Sequence, residues 1–180
     1  MAIHGLTLIG ESINDSVPST HALYEKNDLD GIVALAQSQI AGGATYIDVN
    51  VGLQPPARMA EVIARVQANV VAPLAVDSPD FETAKAGLEA LAPDAPTPIL
   101  NSISPLRMEM FDLLRIRPFR PILLISEGLK DGQAAACVTE EETINAAQLL
   151  LTRAREVGIA PSDCIFDPGI APIATDMEGN

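Results

Sequence analysis

The chain predicts an α/β fold of the (β/α)8 TIM-barrel type that stops after its sixth strand. Two observations carry that prediction. Short apolar runs alternate with segments of helical spacing six times along 180 residues, which calls for a parallel sheet with right-handed crossovers. Each apolar run also ends in polar side chains. Gly10 leads to Glu11-Ser12-Ile13-Asn14, Ile47 to Asp48-Val49-Asn50, Val76 to Asp77-Ser78, Leu100 to Asn101-Ser102, Ile125 to Ser126-Glu127, and Phe166 to Asp167-Pro168-Gly169. In a parallel barrel such ends meet on one face and carry the function. A doubly wound open sheet fits the alternation as well, but no second glycine follows Gly10 at dinucleotide-binding spacing. A barrel usually needs about 250 residues. Six units are two short of eight, so the chain reads as one domain over 1–180 that is incomplete at its C-terminus.

The elements are expected in this order. The first strand covers Leu6 to Gly10, and Asp15 to Asn27, polar and containing a proline, reads as a loop. Asp28 caps a helix from Leu29 to Ala41 that Gly42-Gly43 stops. A strand at Thr45–Val49 precedes a helix at Ala57–Asn69, opened by Pro55-Pro56, with Met59, Val62, Ile63, Val66 and Val70 facing inward. The strand Leu74–Val76 leads to a helix at Phe81–Leu91 capped by Asp80. Strand Ile99–Asn101, a helix at Pro105–Arg115, strand Pro121–Ser126 and a loop at Glu127–Val138 come next. Thr139 and Glu142 form a capping box for a helix that runs to Val157, with Ile144, Ala147, Leu150, Leu151 and Ala154 in phase, and Gly158 ends it. The last strand is Cys164–Phe166, followed by an irregular tail to Asn180.

Composition narrows the function classes. Hydrophobic residues make up 48% of the chain, but aromatics only 3% with no tryptophan. The core is therefore built from small aliphatics, which suit helices on a parallel sheet. A formal charge of −13 opposes a nucleic-acid surface, which needs a basic face, and opposes an anionic membrane surface. No basic-then-apolar leader and no run of about 18 apolar residues occurs, so a cytoplasmic protein is expected. Cys137 and Cys164 have no metal-ligand spacing and read as free thiols; His4 and His21 read as surface residues. No metal site is expected.

Each strand-end residue has a plain structural reading beside a functional one. Asp77 lines a pocket or caps the following helix; Asp167, before a proline, lines a pocket or shapes a turn. Asn101 ends an apolar strand, where a carboxamide needs several partners. Asp48 and Asn50 alternate with Ile47, Val49 and Val51, so both point to one side, as ligands or as a bracing network. Glu11, Asn14 and Ser126 belong to the pocket edge or only to their loops.

Taken together these motifs resemble the methyltetrahydrofolate:corrinoid methyltransferases. Gly10-Glu11-Ser12-Ile13-Asn14 resembles that family's G-E-x-I-N opening. Gly43-Ala44-Thr45-Tyr46-Ile47-Asp48-Val49-Asn50-Val51-Gly52 is similar to its second-strand segment. Asp77-Ser78, Asn101-Ser102-Ile103-Ser104 and Asp167-Pro168 look like the motifs of strands three, four and six. The resemblance spans the whole chain and the first six of eight barrel units. It implies a pterin-binding barrel, shared with dihydropteroate synthase, and transfer of the N5-methyl group between methyltetrahydrofolate and the cobalamin of a corrinoid protein. It further implies that Asp77, Asn101 and Asp167 hydrogen-bond the pterin edge, that Asp48 and Asn50 line or brace the same mouth, and that Glu11 and Asn14 sit at its rim, with Ser126 as a further edge position.

The chemistry is consistent with that implication. A reduced pterin presents alternating N–H donors and acceptors, which carboxylates and carboxamides complement. The methyl leaves a tertiary amine, so N5 needs a proton or strong hydrogen bond during transfer. Two departures stand out. Ser12 occupies a position where many members carry arginine. The family's N5-contacting asparagine lies on strand seven, beyond this chain, so the resemblance assigns no catalytic residue here. Two other readings remain. A dihydropteroate synthase would need Thr-Pro-Asp-Ser-Phe after its first asparagine, where this chain has Asp15-Ser16-Val17-Pro18 after Asn14. A non-catalytic folate-binding or assembly module is the other. Unpaired strand edges in a six-unit barrel also lead us to expect a homo-oligomer.

Overall fold

The structure, a computed structural model, describes residues 5–170; the expectations for His4 and for the tail beyond residue 170 lie outside them. Contacts divide the chain into two units, Met1–Asn101 with Leu113–Phe119, and Ser102–Asp112 with Arg120–Asn180.

In the first unit the valine- and isoleucine-rich runs become parallel strands paired in chain order: β1 (Ile9–Asn14), β2 (Tyr46–Asn50), β3 (Leu74–Asp77) and the first three residues of β4 (Ile99–Ile103). Parallel neighbours need helical crossovers, and α2 (Leu29–Ala41), α3 (Pro56–Gln67) and α4 (Phe81–Ala90) supply them. Asp28 accepts from Gly31 N–H at 2.9 Å and Asp80 from Thr83 N–H at 2.8 Å, which satisfies donors that the first turns of α2 and α4 leave open. On α3 the expected face is sealed: Met59, Val62, Ile63 and Val66 are fully buried. Burial of each such side chain stabilises by roughly 1.5–3 kcal/mol.

Gly87 sets how close α4 comes. A Cβ there would lie 2.6 Å from Val76 Cγ1 on β3 and 2.9 Å from Met59 Cγ on α3. Val76 is in register with Val49 and Leu100, so that row faces the helices. Strand residues alternate sides, and the next row, Asn50, Asp77 and Asn101, therefore faces away from them.

The sequence expectations fail in three places between residues 5 and 115. The first strand is not Leu6–Gly10 but Ile9–Asn14; Leu6 and Leu8 are exposed while Ile13 is fully buried, and a bulge between Gly10 and Ile13 shifts the register. The expected loop Asp15–Asn27 contains a helix, α1 (Pro18–Glu25), with proline in its first turn and with Thr20 and Tyr24 buried at i, i+4. Ser19, His21 and Glu25 are polar and the helix is only eight residues long, which hid the period. The expected helix Pro105–Arg115 is a 3-10 helix over Met108–Arg115, in which Met110 and Leu113, three apart, are both buried.

In the second unit β5 (Arg120–Leu124) pairs in parallel with the last strand, Ile165–Asp167. The expected loop Glu127–Val138 instead holds an antiparallel hairpin, β6 (Glu127–Lys130) and β7 (Gln133–Ala136); the last strand is thus β8. Asp131 and Gly132 take φ of 51° and 77° at its tip, the left-handed pair that an Asp-Gly hairpin turn requires. α5 (Glu140–Glu156) begins with the expected capping box. Its buried stripe is Ala146, Leu150 and Ala154, whereas Ile144 is exposed. No helix among the described residues is long and apolar enough to cross a membrane.

Candidate functional site

Asn14, Asn50, Asp77 and Asn101 are in register across β1, β2, β3 and β4; the first three are the last residues of their strands and Asn101 is the middle residue of β4. In-register residues on parallel strands point the same way, so alternating apolar residues beneath them deliver a row of carboxamides and one carboxylate to a single face. Asn50 Nδ2 donates to Asp77 Oδ2 at 2.8 Å. Its amide cannot turn over, because Oδ1 accepts from Gly52 N–H at 2.7 Å. Gly52 is itself required: its φ is +61°, and a Cβ would sit 2.9 Å from the Cβ of Asp15.

Asp48 lies two residues before Asn50 and is buried. Its in-register neighbour on β3 is Ala75, whose methyl leaves room for a contact with β4. Through that space Asn101 Nδ2 donates to Asp48 Oδ2 at 3.1 Å. Burial above all, then the charge of Asp77, pushes the Asp48 carboxyl well above the usual carboxylate range; the Asn101 hydrogen bond pulls it down, and Glu11 adds a further upward push.

The structure thus brings Asp48, Asn50, Asp77 and Asn101 into one network. Asp80, not Asp77, caps α4, which disposes of the plain reading of Asp77. The rim residues are less engaged. Glu11 is exposed, and Asn14 turns its Oδ1 to Ser16, accepting from N–H at 2.9 Å and from Oγ at 2.6 Å. In the second unit Asp167 Oδ1 accepts from Gly169 N–H at 2.8 Å, the turn-forming role weighed for it. There Ser126 lies against Gly169, where an added Cβ would come 2.6 Å from the serine Cβ.

Sequence reasoning missed the support that α1 gives β2. Tyr24 is buried and its hydroxyl donates to Asn50 O at 3.1 Å; burial and the charge of Asp15 hold it protonated. Asp15 N–H reaches the same carbonyl at 3.3 Å, and Asp15 pairs with His21 Nδ1 at 3.0 Å. The available signal was Pro18 followed by Thr20 and Tyr24 at helical spacing. Also missed was a cavity of about 420 Å3 between the hairpin and α5, lined by Leu129, Ala135, Cys137 and Leu149 among others. Its walls are mainly aliphatic, unlike the strand-end row. Among the described residues no group of three or more His, Cys, Asp or Glu is placed to hold a metal ion.

The strand-end row is suited to a flat polar heterocycle: carboxylate oxygens accept from ring N–H groups, and carboxamides offer both senses of hydrogen bond. Comparison with known proteins points to the same chemistry. The family model described as "Pterin binding enzyme" matches residues 12–180. A methylcorrinoid:tetrahydrofolate methyltransferase from Eubacterium limosum is 27% identical over 175 residues, which are 95% of this chain and 63% of that protein. Among solved structures, 7,8-dihydropteroate synthase from Vibrio fischeri ES114 superposes with a TM-score of 0.68 at 16% identity, over 95% of this chain and 64% of the other. Dihydropteroate synthase from Stenotrophomonas maltophilia, with imidazole in its active site, gives 0.68 at 20% identity, over 94% and 62%. At such identities these structures establish the fold, α/β of the TIM-barrel type. The chain spans about 63% of the length of its methyltransferase relative.

Proposed function

The chain belongs to the pterin binding enzyme family, and on that premise we propose that it moves the N5-methyl group between methyltetrahydrofolate and the cobalamin of a corrinoid protein. The observation that carries this reading is the in-register row Asn50–Asp77–Asn101, with its amide and carboxylate orientations set by Gly52 and Asp48. The choice of reaction within the family is supported by the methyltransferase relative. It is supported too by the segment after Asn14, where Asp15-Ser16-Val17 runs into α1 and the Thr-Pro-Asp-Ser-Phe of a dihydropteroate synthase is missing.

In this proposal Asp77, Asn50 and Asn101 hold the polar edge of the pterin, with Glu11 and Asn14 at the rim. The resemblance also assigns Asp167 and Ser126, which belong to the second unit, to pterin contact. The C–N bond at N5 breaks with its electron pair left on nitrogen, which takes up a proton. Reduced cobalamin, carried by the partner protein, supplies the electron pair that receives the methyl group. The work of the chain's own residues is orientation of the ring and exclusion of water around it.

Calorimetric titration with methyltetrahydrofolate tests the binding half, and a methyl-transfer assay with added corrinoid protein tests the reaction. Saturable binding and corrinoid-dependent turnover are expected. Absence of binding by protein with intact Asp77 and Asn101 removes the reading.

A further inference from the structure

Asp48 stands apart from the rest of the row because it is sealed. It is 1% exposed, whereas Asn50, Asp77 and Asn101 are each partly open to solvent. Among the described residues, the charges that act on it are those of Asp77 from β3 and Glu11 from β1, both of its own sign, and the Tyr24 phenol of α1 is close enough to feel it. Its hydrogen bond comes from a neutral amide, Asn101 Nδ2. A carboxylate buried without a cation loses its hydration and gains little in return. Two carboxyls in one site also do not ionise independently: the first charge opposes the second. Asp77, by contrast, is partly open to solvent and accepts from the Asn50 amide.

We propose that Asp48 works as a neutral carboxylic acid, a positioning residue that braces Asn101 and leaves the negative charge of the site on Asp77. With Nδ2 of Asn101 turned inward to Asp48, the amide oxygen is the atom left to meet a ring N–H. The upward displacement of the Asp48 carboxyl by burial and by Asp77 agrees with this geometry. The inference rests on the pterin-site reading for the identity of the ligand, but not for the proton on Asp48.

Two measurements on the whole chain test it and keep the two readings separate. The first is a pH titration of the free protein labelled at its aspartate carboxyl carbons, followed by NMR. One carboxyl is expected to remain protonated at neutral pH, and its signal to be missing from Asp48→Asn. If every aspartate ionises in the ordinary range, the inference is overturned, and this outcome needs no variant to fold. The second is methyltetrahydrofolate affinity. Asp48→Ala is expected to weaken binding about tenfold, the size of one lost hydrogen bond. Asp48→Asn, uncharged and still offering a carbonyl to Asn101, is expected to recover most of that loss, whereas Asp77→Asn is not. If Asp48→Asn binds as poorly as Asp48→Ala, Asp48 acts as an ionised ligand and the inference fails. If the unaltered protein does not bind the folate at all, the pterin reading fails, and the NMR titration still decides the state of Asp48.

Discussion

Asn50 and Asp77 are joined across β2 and β3 by a 2.8 Å hydrogen bond whose sense is fixed by a backbone N–H at Gly52. The amide oxygen is engaged by Gly52, so only the nitrogen can face Asp77. The carboxylate is thereby met by the donor side of a neutral amide on the neighbouring strand.

Loss of Asp77 or Asn101 from the row should be felt in ligand binding. Asp77→Ala and Asn101→Ala are each expected to lower methyltetrahydrofolate affinity by about 10–100-fold, the range for hydrogen bonds that involve a charged group. Asp77 is partly exposed, so its loss should move the urea midpoint little, whereas Asn101→Ala also takes the amide from buried Asp48 and should cost about 1–3 kcal/mol. Calorimetry and urea titration on the same samples check both halves, and unchanged affinity in both variants removes these residues from the site.

Two glycines should respond to alanine for different reasons. At Gly87 the new Cβ meets Val76 and Met59 at 2.6 and 2.9 Å, so α4 must move off β3, at about 1–3 kcal/mol. At Gly158, with φ of +90° and nothing within 4 Å, only backbone strain remains, of order 1–2 kcal/mol. Larger substitutions separate the two: Gly87→Val should cost far more than Gly87→Ala, while Gly158→Gln and Gly158→Ala should be alike. Urea unfolding reads all four.

The start of α5 should give an acid-sensitive contribution. Glu142 accepts from Val138 N–H and Thr139 N–H and pairs with Lys130, and these contacts hold its carboxyl down at about 2. A depressed folded value stabilises above the unfolded carboxylate range. The contribution is lost as pH falls toward 2. Glu142→Gln should flatten that part of the stability–pH curve. Thr139→Ala, which removes the acceptor for Glu142 N–H, should cost about 1 kcal/mol at neutral pH. Thermal melts at pH 3 and pH 7 distinguish the two effects.

His21 should act with the opposite sign. Its hydrogen bond to Asp15, then the charges of Asp15 and Glu25, raise its value above that of a free histidine. The protonated form is favoured in the folded state, so the stabilisation is complete below the unfolded value, about 6.5, and is lost as pH rises through the folded one. His21→Gln should remove this dependence. An NMR titration of the ring protons measures the shift directly, and a value at or below that of a free histidine contradicts it.

Elements with an unbroken apolar run were legible in the sequence. β2, β3 and β4 and the buried face of α3 follow from composition and period, because burial on both sides leaves few alternatives for Val, Ile and Leu. Three of the errors share a physical cause: their local signals were short, polar or interrupted. α1 has two buried side chains in eight residues. The hairpin strands are four residues each and mostly alanine or charged, and the Asp131-Gly132 turn was the one sign of them. β1 carries a bulge, so its alternation breaks where the strand continues.

For the site, the residue types and their strand-end positions came from the sequence, because strand ends are where apolar runs must give way to polar groups. Which of these groups touch came only from the fold. Asp80 was legible as the cap of α4, but whether Asp77 shared in that cap or met another strand was not; parallel pairing sets Asp77 beside Asn50. Asp48 could have been a ligand like its neighbours. The bond to Asn101 crosses an intervening strand at Ala75 and spans 53 residues of sequence, and the burial that disfavours its charge is a sum over β1, β3, β4 and α1. Local sequence encodes which side chains point to one face; the distances and the loss of water that decide their chemistry arise only when separate strands are packed together.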